Sequence, residues 1–477
     1  MHIMSDINNV PTGWEMEKLG NFAIHEKGKK PKNISKVRDH VFKIPYVNIK
    51  AFEQNVFENF TDGDGSVLCD ENDFLMVWDG SRSGFVGKGI KGAVGSTLVR
   101  LRFPGILNDY AYYFLQSKYI EINTRAKGTG TPHVDPGLLW NYNFPIPPLE
   151  EQYRIVAKIE ELFSEIDNNV ERLKDLLKQI KIYRQAVLKW AYQGKLTEKW
   201  REEKGSLNTT DEVLSEIVIE REKKAKELGK KLRPVTKLSG EETNNLYHLP
   251  KGWKWTKSGQ FFYFVTSGSR GWAKFYSNSG PLFLRVTNLD YDTLNLDLSE
   301  NKIKHVSPPN TAEGTRTRVK EGDFLFSITG DLGMFAITPE IKEAYINQHT
   351  ALCRPVESIN RKYLGYWFIS RTGGNHYINL MKKGATKAGL TLDDICNINV
   401  PLCNLQEQQE IVREIESRLS ICDKFEETIE KSVAQGEVLR HSILKQAFEG
   451  KLVAQDQNAE PAAELLNRIR LQDNNKK

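Results

Sequence analysis

Residues 149–193 form an uninterrupted stretch without any glycine or proline. Apolar side chains recur along it in steps that alternate between four and three, which is the spacing of a coiled-coil seam. At ~1.5 Å per residue the stretch predicts one helix of roughly 65–70 Å, far longer than a globular helix of about 11–12 residues. The polar Asn169 falls on the seam, where a buried asparagine would fix the register. The apolar seam positions are Ile155, Ile159, Leu162, Ile166, Leu173, Leu176, Ile180, Tyr183, Val187 and Trp190.

A second copy of this stretch lies 256 residues further along the chain. Ile155 aligns with Ile411 and Ile159 with Ile415, and the alignment holds without a gap as far as the Gly-Lys-Leu that ends each copy. The chain therefore carries an internal duplication, and we expect its two long helices to pack on each other. The second seam, which includes Gly436, comprises Ile415, Leu419, Cys422, Ile429, Val433 and Ile443.

The segments that precede the two helices are duplicated as well. Trp14 aligns with Trp253, and Asp73 aligns with Asp323. Each segment combines short strand-like runs with one aromatic helix and ends in an extended, proline-containing run that leads into its long helix. The predicted strands are 74–78, 97–103 and 324–328, and the predicted aromatic helices are 110–116 and 363–369.

These patterns predict an α+β protein. Two similar mixed α/β domains are separated by two long antiparallel helices that form a coiled-coil spacer, and the duplication gives the chain an internal pseudo-two-fold relation. The predicted segments are 1–148, the first domain; 149–200, the first helical region; 201–249, a charged helix at 210–228 and a linker; 250–402, the second domain; 403–455, the second helical region; and 456–477, a tail with a short helix at 462–471.

Composition sets broad limits on the protein class. A chain of 477 residues is long enough for roughly three domains. Its five cysteines are an odd number without a Cys-x-x-Cys pair, which favours reduced thiols in the cytoplasm. We find neither a signal peptide nor an apolar run of about 18 residues, so we expect a cytoplasmic protein without a membrane partner. The net charge of +5 is compatible with nucleic-acid binding but does not establish it.

The sequence offers no convincing catalytic centre. The glycines of 87–92 fit Gly-x-Gly-x-x-Gly, but a strand-like run follows them where a dinucleotide site requires a helix. Asp331, Glu340 and Lys342 resemble a nuclease triad, but the first domain has Ser81 at the position of Asp331 and no matching pair. We therefore predict a chain that is not an enzyme and that binds no metal or cofactor of its own.

Glycine-rich and basic loops occur at equivalent positions in both domains. Glycine lets a backbone approach phosphate closely, serine, threonine and lysine bind phosphate oxygens, and arginine, aspartate or asparagine can contact base edges. A single residue of this kind is more often part of a solvated loop, but the repeated set predicts contact with double-stranded DNA. The candidates are Lys29, Lys30, Lys32, Arg38, Asn48, Lys50, Ser81, Arg82, Ser83, Lys127, Thr129, Thr131 and His133 in the first domain, and Ser269, Arg270, Trp272, Lys274, Arg285, Thr287, Asn288, Thr329, Asp331, Lys383, Thr386 and Lys387 in the second.

Two related DNA-binding domains held apart by a rigid spacer suit a bipartite target, two half-sequences with a fixed gap. If the helices pack antiparallel, the domains are related by an approximate two-fold, as are the strands of a DNA duplex. Because the loops differ between the copies, we expect the two half-sites to differ and the target to be asymmetric.

The chain resembles the specificity subunits of Type I restriction–modification systems over nearly its whole length. The motifs that carry the resemblance are Pro-x-Gly-Trp at 11–14 and 250–253, an Asp-Phe-Leu strand with a glycine loop, Tyr-Ile-Asn-Gln-His at 345–349, Ile-Pro-Pro-Leu-Glu-Glu-Gln at 146–152, Arg-Gln-Ala-Val-Leu at 184–188 and Gly-Lys-Leu-Thr-Glu-Lys-Trp-Arg at 194–201. One departure is the segment 402–405, which lacks the double proline and leaves open how the chain enters the second helix.

The resemblance implies two target-recognition domains joined by conserved helical regions, with no catalysis by this subunit. Two modification subunits would dock on the helical regions and transfer methyl groups from S-adenosylmethionine to adenine N6, one in each half-site. Restriction subunits, which are motor nucleases, would use ATP and Mg²⁺. Two alternatives remain: a chain with its own nuclease or transferase activity, and a scaffold of another phage-defence assembly that binds DNA weakly and without sequence preference.

Overall fold

A computed structural model describes residues 10–204, 209–382, 389–456 and 458–474. The described chain forms two compact units. The first unit contains the residues up to 174 and those from 430 onward, and the second contains residues 175–429. Each long helix therefore contributes one half to each unit.

The first unit begins with a domain of eleven strands and three helices. Its elements are β1 (Glu15–Lys18), β2 (Ile24–Lys27), β3 (Ile34–Ser35), β4 (Ile44–Val47), α1 (Ile49–Gln54), β5 (Phe60–Thr61), β6 (Leu68–Cys69), β7 (Phe74–Val77), β8 (Val86–Lys88), β9 (Gly92–Val94), β10 (Leu98–Arg102), α2 (Asn108–Thr124), α3 (Pro136–Leu139) and β11 (Asn143–Ile146), followed by the first long helix, α4 (Leu149–Tyr192).

The second unit contains the remaining strands. Its elements are α5 (Glu198–Lys204), α6 (Thr210–Glu227), α7 (Gly240–Asn244), β12 (Lys254–Lys257), β13 (Phe262–Ser267), β14 (Tyr276–Leu284), β15 (His305–Val306), α8 (Ala312–Thr317), β16 (Phe324–Ser327), β17 (Phe335–Ile337), β18 (Ala344–Ile346), β19 (Thr350–Pro355), α9 (Arg361–Ile369), α10 (Gly374–Met381), α11 (Leu392–Cys396) and β20 (Asn399–Leu402), followed by the second long helix, α12 (Leu405–Phe448). Helix α13 (Ala462–Asn474) belongs to the first unit.

The two units share most of their topology, which confirms the α+β duplication; they differ in the sheet around the parallel pair, which has five strands in the first unit and three in the second. An antiparallel sheet of order β2-β10-β7-β8 in the first unit corresponds to β13-β19-β16-β17 in the second. The pair β1–β11 corresponds to β12–β20, and the parallel pair β4–β9 corresponds to β14–β18. The predicted strands at 74–78, 97–103 and 324–328 and both aromatic helices form within a few residues of their predicted bounds, except that α2 is longer.

Apolar side chains from the sheet and the long helices close each core. In the first unit Phe74 of β7, Phe114 of α2 and Phe144 of β11 pack in one cluster with Ile155 of α4 and Ala447 of α12. One face of the sheet and one face of each helix are apolar, and these faces pack against each other and exclude water. The second unit has the equivalent cluster.

Helix α6 belongs to the core of the second unit. Val213 and Ile217 on its inner face are buried in the same cluster as Phe262 of β13. The Arg221 guanidinium, also buried, donates to the Phe262 carbonyl oxygen at 3.0 Å. The segment 201–249, which the sequence suggests is a charged helix and a linker, thus covers one side of the β13 sheet.

Glutamines at the start of each long helix fix the entry of the chain. Gln152 accepts from the Leu107 amide at 2.9 Å and donates to the Pro147 carbonyl at 3.0 Å. Gln408 makes the same contacts in the second unit, with the Asn360 amide at 3.0 Å and the Cys403 carbonyl at 2.8 Å. The second helix therefore begins like the first, although its entry segment lacks the double proline.

Within each unit the halves of α4 and α12 pack antiparallel. Arg440 pairs with Asp167 in the first unit, and Arg184 pairs with Asp423 in the second. Both partners of one pair lie 256 residues from their equivalents in the other pair. The duplication therefore reaches individual contacts between the helices, and the predicted antiparallel packing is confirmed.

The seam predicted for α4 is partly wrong. Leu176, Tyr183 and Trp190 are exposed, by 46%, 39% and 36%, and Asn169 is also exposed rather than buried. The packed stripe passes through Ile166 and then through Leu177, one position after the predicted Leu176, and through Leu188, one position after Val187. Its residues therefore repeat every eleven positions. A straight helix of 3.6 residues per turn drifts away from a seven-residue repeat, whereas an eleven-residue repeat follows it.

The seam predicted for α12 is buried or half-buried at every position, as expected. Gly436 lies where the first-unit halves of the helices pack, because a Cβ built on it would lie 3.4 Å from the side chains of Ile166 and Val170. Among the described residues, none of the helices combines the length and the apolarity needed to cross a membrane.

Candidate nucleic-acid interface

Two of the predicted DNA-binding loops lie side by side in the first unit. Asp79 and Lys127 both form antiparallel β-bridges with His133. The Gly80 amide donates to the Pro132 carbonyl oxygen at 2.8 Å. Residues 78–84 and 127–133, about fifty positions apart in sequence, therefore form one surface.

The second unit repeats this arrangement. Thr329 forms an antiparallel bridge with Gly389, and the Leu390 amide donates to the Ile328 carbonyl at 3.0 Å. The equivalent loop is thus joined to the segment before α11. Lys383, Thr386 and Lys387, which are predicted at this place, lie outside the described residues.

Lysines beside these loops in the first unit are paired with carboxylates. Lys27 Nζ lies 2.8 Å from Asp79, and Lys127 Nζ lies 2.9 Å from Asp135, with both lysine side chains more than half exposed. The Lys127 ammonium holds the pKa of Asp135 below its usual range. Because exposed ion pairs contribute only about 0–1 kcal/mol, these ammonium groups can exchange a carboxylate for a phosphate at little cost.

Arg82 is held by two contacts at the tip of its loop. Its Nη1 lies 2.8 Å from Glu53 Oε1, and its guanidinium carbon lies 4.0 Å from the centre of the Phe85 ring. The side chain is still 45% exposed. A guanidinium presented in a fixed plane is the group that binds guanine O6 and N7 through two parallel hydrogen bonds.

The basic segment of the first unit leaves the sheet at Gly28. A Cβ on Gly28 would lie 2.3 Å from the Gly95 carbonyl oxygen, so that only glycine fits. Beyond it, Lys29, Lys30 and Lys32 are exposed. Arg38 is also exposed, 6.0 Å from the Phe60 ring.

Gly268 is the equivalent residue in the second unit. Its Cβ would lie 2.5 Å from the Ile346 carbonyl oxygen. The Ser269 amide after it donates to Glu313 at 2.8 Å, which orients the start of the loop. Arg270 and Lys274 of this loop are exposed to solvent.

Several candidate side chains support the loops from inside. Trp272 is buried, donates to Glu313 at 3.2 Å and stacks on Phe283 at 5.1 Å. Ser83 and Asn288 are buried as well, and Asn288 Nδ2 donates to the Asp297 carbonyl at 2.9 Å. Loop composition placed these residues with the exposed candidates, but the structure places them in the interior.

Three other candidates have well-defined structural partners. Asn48 caps α1 by accepting from the Ala51 amide at 2.9 Å. Arg285 is half-buried and donates to the Lys302 carbonyl at 2.9 Å. Thr329 is hydrogen-bonded to the His349 ring.

The other candidates lie at or near the surface. Lys50 pairs with Glu58. The exposed candidates that complete the set are Ser81, Thr129, Thr131, Thr287 and Asp331. Contact between DNA and these side chains stays a prediction.

Sequence reasoning missed two carboxylates that position the loops, Glu53 and Glu313. Glu53 holds Arg82 and Glu313 holds Ser269 and Trp272. Each lies at least 29 positions from the residue that it holds, and a lone glutamate in a short helix carries no distinctive pattern.

The cysteines are free and buried. Burial raises the pKa of the Cys69 thiol, and likewise that of Cys396, to about 11. Over the described ranges, no group of three or more His, Cys, Asp or Glu is placed to hold a metal ion. The chemistry that the loops offer is cationic and hydrogen-bonding.

Comparison with known proteins gives consistent matches. A family model described as the Type I restriction modification DNA specificity domain matches residues 11–179 and 287–435. The specificity subunit of the Type I restriction enzyme MjaVIII from Methanocaldococcus jannaschii is 30% identical over 204 residues, which cover 40% of this chain and 48% of that subunit. The chain thus spans about half the length of this archaeal relative. The EcoBI specificity subunit from Escherichia coli is 26% identical over 370 residues, covering 76% of this chain and 71% of the relative.

A solved chain from work on complex assembly and conformational transition of a type I restriction–modification system has a similar fold. It aligns with a TM-score of 0.56 at 19% identity and covers 93% of this chain and 99% of that chain. At this identity the likeness concerns the fold alone.

Proposed function

Because the chain belongs to the family of Type I restriction–modification specificity subunits, we propose that it recognises a bipartite, asymmetric target in double-stranded DNA. Each unit binds one half-sequence through its paired loops in the major groove. The helical regions set the gap between the half-sequences and carry the partner subunits.

The observation that supports this proposal best is the repeated pairing of loops with different side chains. Asp79 bridges to His133 in the first unit, and Thr329 bridges to Gly389 in the second. One topology thus presents two chemically different surfaces. Different surfaces on equivalent loops suit two different half-sites, because hydrogen-bonding groups at base edges determine sequence preference.

Exposed apolar side chains on the long helices support the scaffold role. Ile182 and Tyr183 of α4 are exposed, and so are Val438 and Leu439 of α12, which occupy the equivalent positions of the duplication. Exposed apolar side chains of this kind are more stable when a protein partner covers them than when they face water. Because the same pair is exposed in both copies, it suits two identical partners. We assign these partners as two modification subunits.

The chemistry in this proposal belongs to the partners, and the assembly works in the cytoplasm. The modification subunits transfer methyl groups from S-adenosylmethionine to adenine N6, and restriction subunits use ATP and Mg²⁺. This chain catalyses neither step and binds none of these cofactors; it supplies the position on DNA.

Genome-wide adenine methylation tests the proposal in the native host, with the gene present, deleted and restored. We expect the deletion to abolish methylation at one split, asymmetric motif, and the restored gene to return it. The proposal fails if every methylated motif persists in the deletion strain while the partner genes are expressed, or if the lost motif is contiguous.

A restored Arg82→Ala variant sharpens the test. If the guanidinium binds guanine, the variant should lose about 1–3 kcal/mol of discrimination between guanine and the other bases at one position of one half-site. Arg468→Ala, which removes an exposed arginine from α13 of the same unit, serves as the matched control and should leave the motif unchanged. Equal weakening on all sequences would assign Arg82 to a phosphate instead.

A further inference from the structure

Two short segments carry much of the positive charge of this chain: residues 27–43 of the first unit, with seven lysines and arginines against Asp39, and residues 221–237 of the second unit. Residues 221–237 contain eight lysines and arginines and two glutamates, a net charge of +6, whereas the whole chain carries +5. The rest of the chain therefore has a net charge of −1. We call residues 221–237 the second-unit basic segment; its cations add to the electrostatic attraction between the chain and nucleic acid.

Helix α6 anchors the second-unit basic segment with one face and exposes its lysines on the other. Its buried stripe includes Arg221 and ends at Ala225, and the Arg221 guanidinium donates to the carbonyls of Phe262 and Arg233, each at 3.0 Å. Lys223 and Lys226 lie on the exposed face. The segment beyond α6 is thus fixed beside β13.

Most of these cations lack a counterion. Lys224 pairs with Glu357 at 3.1 Å, and Arg233 pairs with Asp393 at 2.7 Å. The exposed lysines without an ion pair in the described part of the chain are Lys223, Lys226, Lys230, Lys231 and Lys237. Within α6 the cations have acidic residues one turn away, as Lys226 has Glu222, which is the usual pattern of a solvated helix. Residues 228–237 beyond the helix contain four cations and no acidic residue.

A cleft beside β13 is lined by the same cations. Lys230, Lys231 and Arg233 face Tyr263 and Phe264 across a cavity of about 280 Å³. Strand β13 then runs directly into the loop that carries Ser269 and Arg270. The cleft is lined by residues 262–265, so three to six residues at ~3.3 Å each place it about 10–20 Å from Gly268, where that loop begins.

We propose that the second-unit basic segment binds backbone phosphates of duplex DNA that flanks the half-site of the second unit, outside the target itself. The inference rests on the proposed function, which places the loop at 269–274 on the DNA. Duplex DNA carries one negative charge per ~1.7 Å of axis, so a duplex that continues along β13 offers many phosphates to unpaired ammonium groups. In the first unit α13 occupies the place of α6, because the Ala462 amide donates to the Gly13 carbonyl as Thr210 donates to the equivalent Gly252. Both arginines of α13 are paired, Arg468 with Glu460 and Arg470 with Glu17, so we expect the flanking interaction to be one-sided.

The test uses the assembled methyltransferase complex with the full chain. The variant carries Lys223→Gln, Lys226→Gln, Lys230→Gln and Lys231→Gln together, and the matched control replaces the same four lysines by arginine, which keeps the charge. Binding is measured on duplexes that contain the methylated motif, with the flank beyond either half-site lengthened in steps of about ten base pairs and over a range of NaCl concentrations.

We expect wild-type binding to strengthen when the flank beyond the second half-site is lengthened, and not when the other flank is lengthened. The glutamine variant should lose this dependence, and the slope of log K against log [salt] should become shallower by ~0.9 for each phosphate that the variant no longer neutralises. If two or three phosphates are no longer neutralised, binding at low salt should weaken by roughly tenfold or more. The arginine control should behave like the wild type.

An unchanged salt slope and flank dependence in the glutamine variant would overturn the inference, and so would an arginine control that fails like the glutamine variant. Loss of a partner subunit from the purified complex, with the salt slope unchanged, would identify the segment as a protein-docking surface instead. Failure of the proposed function is distinct, because the wild-type complex would then show no preference for any motif.

Discussion

Glu407→Gln and Glu151→Gln make the same chemical change at equivalent positions of the two long helices, yet we expect opposite effects on stability. Both side chains are buried. Glu407 accepts hydrogen bonds from Trp253 Nε1 at 2.9 Å, Thr197 Oγ1 at 2.8 Å and Arg201 Nη1 at 2.6 Å. Its carboxylate thus joins the end of the first helical region to the start of the second within one unit.

Glu151 lacks this set of donors. Its Oε1 and the neighbouring Trp14 Nε1 are buried without a hydrogen-bond partner among the described residues. Burial raises the pKa of Glu151, which the nearby Trp14 N–H and Arg154 offset only in part. A buried carboxylate without good partners costs stability when it is ionised.

The expected magnitudes follow from these contacts. In Glu407→Gln the amide nitrogen must face at least one of three donors, which leaves a buried N–H unsatisfied at a cost of about 1–3 kcal/mol, and the carboxylate charge that pairs with Arg201 is lost. Because Arg201 is partly exposed, water can solvate part of its charge after the change. We therefore expect Glu407→Gln to lower the free energy of unfolding of the second unit by about 2–4 kcal/mol in total. For Glu151→Gln we expect the free energy of unfolding of the first unit to stay the same or to rise by up to about 1 kcal/mol at pH 7.

The pH dependence has a defined sign for Glu151. Its folded-state pKa lies above the unfolded-state pKa, so between the two values the folded protein binds more protons than the unfolded chain. The stability of the first unit therefore falls as pH rises from the unfolded-state pKa of about 4.3 to the folded-state pKa. Glu151→Gln should remove this fall.

Hydrogen exchange read by mass spectrometry in a urea series separates the two units, since a single melting curve of a two-unit chain is not a two-state transition. Protection of residues 194–201 and 405–411 reports Glu407, and protection of residues 11–18 reports Glu151. The reasoning is refuted if Glu407→Gln costs less than about 1 kcal/mol, or if Glu151→Gln destabilises its unit as strongly as Glu407→Gln destabilises the other.

Three further predictions concern the helices and the loops. Gly436→Ala should stabilise the first unit by about 1 kcal/mol, because alanine favours the helix and its Cβ meets Ile166 at an ordinary contact distance of 3.4 Å. Hydrogen exchange in the urea series should show stronger protection of the helix around residue 436, and weaker protection would contradict this packing. Gly268→Ala should displace the loop that follows it, because the new Cβ would lie 2.5 Å from the Asn347 carbonyl carbon; methylome sequencing should then show loss or relaxation of one half-site only, and equal damage to both would contradict independent domains. Insertion of about four residues near Gln193 should change the gap between the half-sites and leave both half-sequences intact, and an unchanged gap would refute the spacer role.

The duplication made much of the fold predictable. Because each pattern appears twice, a feature that recurs at the equivalent position of the other copy is poorly explained by chance. Asp73 and Asp323 are one such pair. Each of these buried carboxylates pairs with an arginine, Arg102 or Arg354, at the same place of its sheet. The three predicted strands, the aromatic helices and the long helices followed from local periodicity, whereas most of the shorter strands were not predicted.

The packed face of α4 was not predictable in the same way. The seven-residue repeat passes through Leu176 and the eleven-residue repeat through Leu177. Both positions are apolar, so the sequence fits either repeat. Only the partner helix distinguishes them, because the ion pair of Arg184 with Asp423 requires the second.

For the candidate site, composition identified the loops but not the depth of each side chain. Ser83 and Arg82 are adjacent, yet Ser83 is fully buried and Arg82 is 45% exposed. Their difference arises from tertiary contacts, with Glu53 and Phe85 holding the arginine outward. A single sequence does not encode such distant contacts in a local pattern.

The division of the chain has a consequence for its synthesis on the ribosome. The second unit is one continuous stretch, whereas the aromatic rings of Tyr110 and Phe114 in the first unit are covered by Phe448, each at a centroid distance of 5.3 Å. At about 5–20 residues per second, roughly 15–60 s pass between the completion of the first domain and the emergence of α12. During this time the nascent first domain exposes an apolar face while the second unit folds, so aggregation of the newly made chain should begin at the first domain.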